Sequence, residues 1–99
     1  MTPPSNTTRI RHILVFNLKP SVSEKDFLNA TKTLETIPGV EKFEFSRQVN
    51  KKINFEYGLT MEFASQQVLD QYFQHPVHVA YIQQHWQTEV AESLIIDLL

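Results

Sequence analysis

The chain predicts an α+β fold of ferredoxin-like plan, a four-stranded antiparallel sheet with helices on one face. Three observations carry that expectation. Residue periodicity runs in the order β, α, β, β, broken α, β, which is the order of that plan. The strand candidates alternate apolar with polar residues, whereas the helix candidates repeat apolar residues every three or four positions. Composition supplies the core: 41% of the 99 residues are hydrophobic, with seven Phe, three Tyr and one Trp, enough for one packed domain and too much for a disordered chain.

The elements follow in order. Residues 1–8, polar and carrying two prolines, are expected to form a loose tail, with a single domain over 9–99. Strand one is Ile10–Leu18, with Ile10, His12, Leu14, Phe16 and Leu18 on one face and Arg11, Ile13, Val15 and Asn17 on the other. Ser21 and Ser23 are both suited to cap the helix that follows. Phe27, Ala30, Thr31, Leu34 and Ile37 recur at helical spacing over about four turns, and Pro38-Gly39 ends the run.

Val40–Val49 and Phe55–Phe63 alternate as a hairpin around a turn at 48–54. Ala64–Tyr72 is helical with Ser65 a candidate cap. Pro76 interrupts that helix, a second helical run continues to about Ala91, and Leu94–Leu98 is expected to be the last strand. Helices on one face leave the other uncovered. Ile13 and Val15, with Ile95 of the last strand, are expected there as an apolar surface, and a second copy of the chain is the simplest cover. A homodimer joined through the helix-free sheet face is therefore predicted.

Several function classes drop out. With no cysteine, neither a disulfide framework nor thiolate chemistry is available. Two glycines exclude a Gly-rich phosphate loop. The net charge of −2 is interspersed, and the basic pairs Arg9/Arg11 and Lys51/Lys52 read as solvated strand ends or turns, so nucleic acid is not expected as a partner. No apolar run is long enough to span a bilayer, no signal peptide is legible, and a soluble cytoplasmic location is the default.

Chemistry concentrates in Tyr72–Trp86, YFQHPVHVAYIQQHW, which holds three of the four histidines, two of the three tyrosines and the single tryptophan. Pro76 suits the first position of a new helix, which makes His75 its cap and sets His78 in its first turn. The positive end of the helix disfavours an imidazolium, so His78 is expected to stay neutral and able to act as a general base. If the chain bends at Pro76, Tyr72 comes near and offers a hydroxyl to a carbonyl or enolate oxygen. Leu14, Phe16, Phe27, Tyr57, Leu59, Tyr81 and Trp86 are expected to wall an apolar cavity for a small apolar or aromatic ligand.

Plainer roles stand beside these. His75 and His78 suffice as caps bonded to backbone, Tyr72, Tyr81 and Trp86 as core aromatics, and His12 as a hydrogen-bonded core histidine. His78, His85 and Glu89 fall at i, i+7 and i+11, but Pro76 disturbs the spacing and no metal is expected.

The strand-opening His12-Ile-Leu-Val-Phe16, Ile37-Pro-Gly39, Phe63, the run Tyr72-x-x-His75-Pro-x-His78-Val and the closing Ile96-Asp97-Leu98 together resemble the stress-responsive A/B barrel (Dabb) domain family, from Arg9 to Leu99. The resemblance implies a ferredoxin-like protomer that pairs into a dimeric α+β barrel. Members include plant stress-induced proteins, a plant polyketide cyclase that closes an aromatic acid by aldol condensation without a cofactor, and bacterial proteins of unassigned role. Carried over, the cyclase's catalytic residues fall on Tyr72 and His78, and its strand-one pocket histidine on His12. Its third-strand histidine has no counterpart, since Tyr57 stands there. Three readings result: a cofactor-free carbon-acid enzyme, a non-catalytic stress-responsive binding module, and a monooxygenase like those of the wider superfamily.

Overall fold

The computed structural model describes residues 8–99. Strand β1 (Ile10–Leu18) leads to helix α1 (Glu24–Thr31), which tightens into a 3₁₀ segment, Lys32–Thr36. Strands β2 (Glu41–Arg47) and β3 (Tyr57–Phe63) form the hairpin. Helix α2 (Gln66–Gln74) breaks before α3 (Pro76–Tyr81), which runs on through a π turn, Ile82–Trp86, into the short α4 (Gln87–Glu89). Strand β4 (Val90–Leu98) completes one four-stranded sheet, ordered β2-β3-β1-β4. All neighbours are antiparallel, so the predicted ferredoxin-like plan is the observed one.

Register decides which residues meet, because residues directly opposite each other share a face. Leu14 faces Leu59, Phe16 faces Tyr57 and Ile10 faces Phe63, and all six are buried under the helices. Helix α1 starts where Ser23 accepts a bond from the Asp26 N–H at 3.2 Å; of the two candidate caps, Ser23 is the one used. It contributes Phe27 and Thr31 to the core, and Leu34 and Ile37 follow. Gly39 ends the run at φ +95°, where a Cβ would collide with Cγ1 of Val68. Both the left-handed backbone and the close approach of α2 require glycine there.

The differences from expectation lie mostly at element ends. The last strand begins at Val90, four positions before the predicted Leu94, because the helix stops at Glu89 and Val90 pairs with Leu18 beyond a register shift. Phe55 lies in the loop before β3. Of the expected tail, residues 1–7 lie outside the described residues, while the Thr8 hydroxyl donates to the Ala64 carbonyl at 2.8 Å.

One placement is corrected. Ile95 pairs with Leu14 and so points to the helix side; Leu94, Ile96 and Leu98 pair with Val15, Ile13 and Arg11 and lie on the helix-free face. Strand parity is the reason, since each step along a strand reverses the side. Those three are 54%, 43% and 39% exposed, so the apolar surface on the open face is larger than expected. Among the described residues no helix is long and apolar enough to cross a membrane.

Candidate functional site

Between the sheet and the broken helix lies a cavity of about 300 Å³. Its floor is His12 and Leu14 of β1, Leu59 of β3 and Ile95 of β4; its roof is Leu34, Tyr72, Phe73, His78, Tyr81, Ile82 and Trp86. The break at His75 shapes the roof. His75 is extended (φ −63°, ψ 136°), its Nδ1 accepts the Val77 N–H at 3.1 Å, and Pro76 takes the first helical position, where its missing N–H costs nothing. The chain thus turns between Tyr72 and His78 and brings their rings to 4.6 Å. Farther on, the π turn places residues five apart on one face, which sets Trp86 on the same inward side as Tyr81.

His78 Nδ1 lies 3.0 Å from the Phe73 carbonyl oxygen. A carbonyl only accepts, so Nδ1 carries the proton and Nε2 the lone pair. The pKa of His78 is lowered, first by burial and then by the nearby His12, with the Phe73 bond opposing. The ring is therefore neutral at pH 7. The expected neutrality has a different leading cause from the helix end, because α3 is only six residues long and removal from water dominates.

Tyr72 is 2% exposed, and burial above all raises its hydroxyl pKa, which keeps it a donor. Among the described residues no buried side-chain nitrogen or oxygen lacks a partner. The Tyr72 hydroxyl has no protein partner there, so it reaches open space, and the cavity that Tyr72 lines is that space. The same argument applies to Nε2 of buried His12. Its Nδ1 is 2.5 Å from Oδ1 of Asp97, the residue directly opposite it on β4.

The remaining candidates separate. Leu14, Leu59, Tyr81 and Trp86 line the cavity with His12, Tyr72 and His78. Phe16, Phe27 and Tyr57 do not. They build an aromatic core beside it, with Phe16 centroids 5.6 Å from Phe27, 5.5 Å from Tyr57 and 5.1 Å from Trp86. The Tyr57 hydroxyl donates to Glu24 at 2.7 Å, and the Arg47 guanidinium sits 5.5 Å from the centre of its ring. His75 acts as the helix cap. Tyr81 is anchored by a 2.7 Å bond to Thr31, leaving its ring as wall.

Four lining residues, Leu34, Phe73, Ile82 and Ile95, lie outside the sequence expectation, as does Asp97 as the partner of His12. The run Leu94-Ile95-Ile96 is apolar at both parities and carries no signal of its own; pairing with β1 sets Leu94, Ile96 and Leu98 on the open face and so puts Ile95 and Asp97 on the helix side. His85 Nδ1 bonds Glu89 at 2.7 Å, and among the described residues no three His, Asp or Glu side chains gather as a metal would require.

The model of the stress responsive A/B barrel domain matches residues 10–99. A crystal structure of a Dabb family protein with a ferredoxin-like fold from Mesorhizobium loti is 44% identical, superposes with a TM-score of 0.88, and covers 92% of this chain and 95% of its own. A dimeric ferredoxin-like protein of unknown function from Thermobifida fusca is 18% identical with a TM-score of 0.77, covering 94% and 92%. A hydroxynitrile lyase from Passiflora edulis is 12% identical with a TM-score of 0.77, covering 91% of each chain. The last two likenesses speak for the fold alone. No curated protein matches the chain.

Proposed function

The chain belongs to the stress-responsive A/B barrel domain family, and on that premise we propose that it binds a small apolar or aromatic carbonyl compound in the cavity and, without a cofactor, moves a proton at the carbon beside the carbonyl. One observation carries this reading. A neutral imidazole with a free Nε2 and a phenol with a free hydroxyl stand ring to ring, 4.6 Å apart, on the wall of an otherwise apolar hollow.

The chemistry follows from those two groups. His78 Nε2 takes the α-proton: the C–H bond breaks, an N–H bond forms, and the electron pair moves to the carbonyl oxygen. The Tyr72 hydroxyl donates to the resulting enolate oxygen, which matters more in an apolar site than in water. In a substrate with a second carbonyl, the enolate carbon attacks it and forms a C–C bond. The new alkoxide then takes the proton from the His78 imidazolium, so the ring closes with no net change in the protein. The lining is apolar apart from His12, Tyr72, His78 and Tyr81 and holds no Lys or Arg, which favours an uncharged body over an anion.

We assign the protein as a homodimer through its helix-free face. The exposed stripe of Leu94, Ile96 and Leu98 beside Ile13 and Val15 supports this, and relatives of the same fold are described as dimeric. The second functional reading, a binding module without turnover, is favoured by the mainly apolar lining, which is sufficient for binding alone. Assay of a panel of β-keto and β-diketo compounds separates the two. Turnover that is lost in His78→Ala with ligand binding kept supports the enzyme; binding with no turnover by the natural chain supports the module.

A further inference from the structure

His12 is 3% exposed and belongs to the cavity floor, yet the proton transfer above does not use it. Its Nδ1 is 2.5 Å from Oδ1 of Asp97. This pairing is built into the sheet: His12 and Asp97 are register partners on β1 and β4, so both side chains leave the same face at neighbouring positions. A carboxylate can only accept, so Nδ1 carries a proton, and in the neutral ring the lone pair is then on Nε2. Nε2 has no partner among the described residues, and none of their buried polar atoms is left unpaired. Nε2 therefore opens into the cavity.

Two imidazoles thus share one arrangement. In His78 the Nδ1–H is held by a backbone carbonyl, in His12 by a carboxylate, and both rings line the same hollow. The Tyr72 ring contacts both, with centroids 6.1 Å from His12 and 4.6 Å from His78. The supports differ in charge. A neutral carbonyl orients a ring; a carboxylate also balances the positive charge when the ring accepts a proton.

We propose that Asp97 is a positioning residue that makes His12 the second acid–base group of the cavity, holding Nδ1–H so that Nε2 faces the ligand. Resting on the proton-transfer reading given above, the division of labour is simple. His78 takes the proton from carbon, while His12 accepts at Nε2 a proton from a substrate or intermediate hydroxyl, carries it as an imidazolium against Asp97, and returns it to the product. One O–H bond breaks and one N–H bond forms, then the reverse; no other reactant is needed.

The test reads the tautomer directly. Long-range ¹H–¹⁵N correlation spectra of the histidine rings are recorded on the full-length ¹⁵N-labelled protein, on Asp97→Asn and on Asp97→Glu. The expected result is His12 protonated on Nδ1 in the natural chain and in Asp97→Glu, and a majority of Nε2–H in Asp97→Asn, whose amide NH₂ can donate to Nδ1. Turnover of any β-keto compound found active should fall at least about tenfold in kcat for Asp97→Asn, with KM within about twofold, and recover in Asp97→Glu. Nε2–H on His12 in the natural chain overturns the proposal, even if a variant fails to fold; so does a tautomer indifferent to Asp97→Asn. The spectra need no substrate. A chain without turnover but with a tautomer that depends on Asp97 would therefore remove the proton-transfer reading and leave the positioning role of Asp97 in place.

Discussion

The His78 ring lies 4.6 Å from the Tyr72 ring while its Nδ1–H is tied to the Phe73 carbonyl, so the imidazole and the phenol are fixed by one stretch of chain. Phe73 adjoins Tyr72, and its carbonyl is freed for a side chain because Pro76 and the extended His75 end the helical ladder there. The bend therefore does two jobs: it turns the chain between the two side chains and supplies the acceptor that selects the tautomer.

Replacing His78 with Ala should reduce turnover of an active β-keto compound by about 10²-fold or more, the usual contribution of a positioned general base. Tyr72→Phe keeps the tilted ring contacts with His78 and Phe63 and removes only the hydroxyl. It should leave the melting temperature close to that of the natural chain and lower kcat by about 10²-fold, with little change in KM. Steady-state kinetics with parallel thermal melts check both.

The pH dependence has a defined sign. The pKa of His78 is lowered in the fold, chiefly by burial, so the unfolded chain binds a proton at this site more readily than the folded one. Its contribution to stability is fully present above about pH 6.5, the ordinary histidine value, and is lost as pH falls from there through the lowered folded pKa. Denaturant melts across that window should show a smaller loss of stability for His78→Gln than for the natural chain. The acid limb of kcat/KM should likewise have its midpoint below 6.5.

Gly39→Ala tests the turn after α1. At φ +95° and against Val68, an added methyl meets both backbone strain and a collision, with an expected cost of about 1–3 kcal/mol. The two-residue change Gly39→Ala with Val68→Ala should recover only the part due to the collision, as read from urea unfolding.

Ile96→Asp places a charge in the middle of the exposed stripe on the helix-free face. Light scattering after size-exclusion chromatography should give about twice the chain mass for the natural protein and a monomer for the variant. A natural chain that runs as a monomer at micromolar concentration would sink the homodimer assignment.

Much of the fold was legible because it rests on local periodicity. Alternation along Ile10–Leu18 and 57–63, the three-and-four spacing of Phe27, Thr31 and Leu34, and the stops at Pro38-Gly39 and Pro76 are each decided within a few residues. The bend at His75-Pro76 and the neighbourhood of Tyr72 and His78 were accessible for the same reason. The side of the sheet taken by Ile95 was not. It depends on where β4 starts and how it registers against β1, and an apolar run of Leu94, Ile95 and Ile96 does not mark its own parity. Phe16, Phe27 and Tyr57 are aromatic and inward-facing like the lining residues, and only their packing places them in the core beside the cavity.

The sequence by itself determined the element order, the ferredoxin-like plan and the meeting of Tyr72 with His78 around Pro76, since short-range sterics and spacing suffice for these. Tertiary structure alone decided that Asp97 holds His12 across 85 positions of chain, that Ile95 closes the cavity, and that burial sets the neutrality of His78. Those depend on strand register and on the exclusion of water by distant segments, which arise only when the whole sheet and its helices pack together.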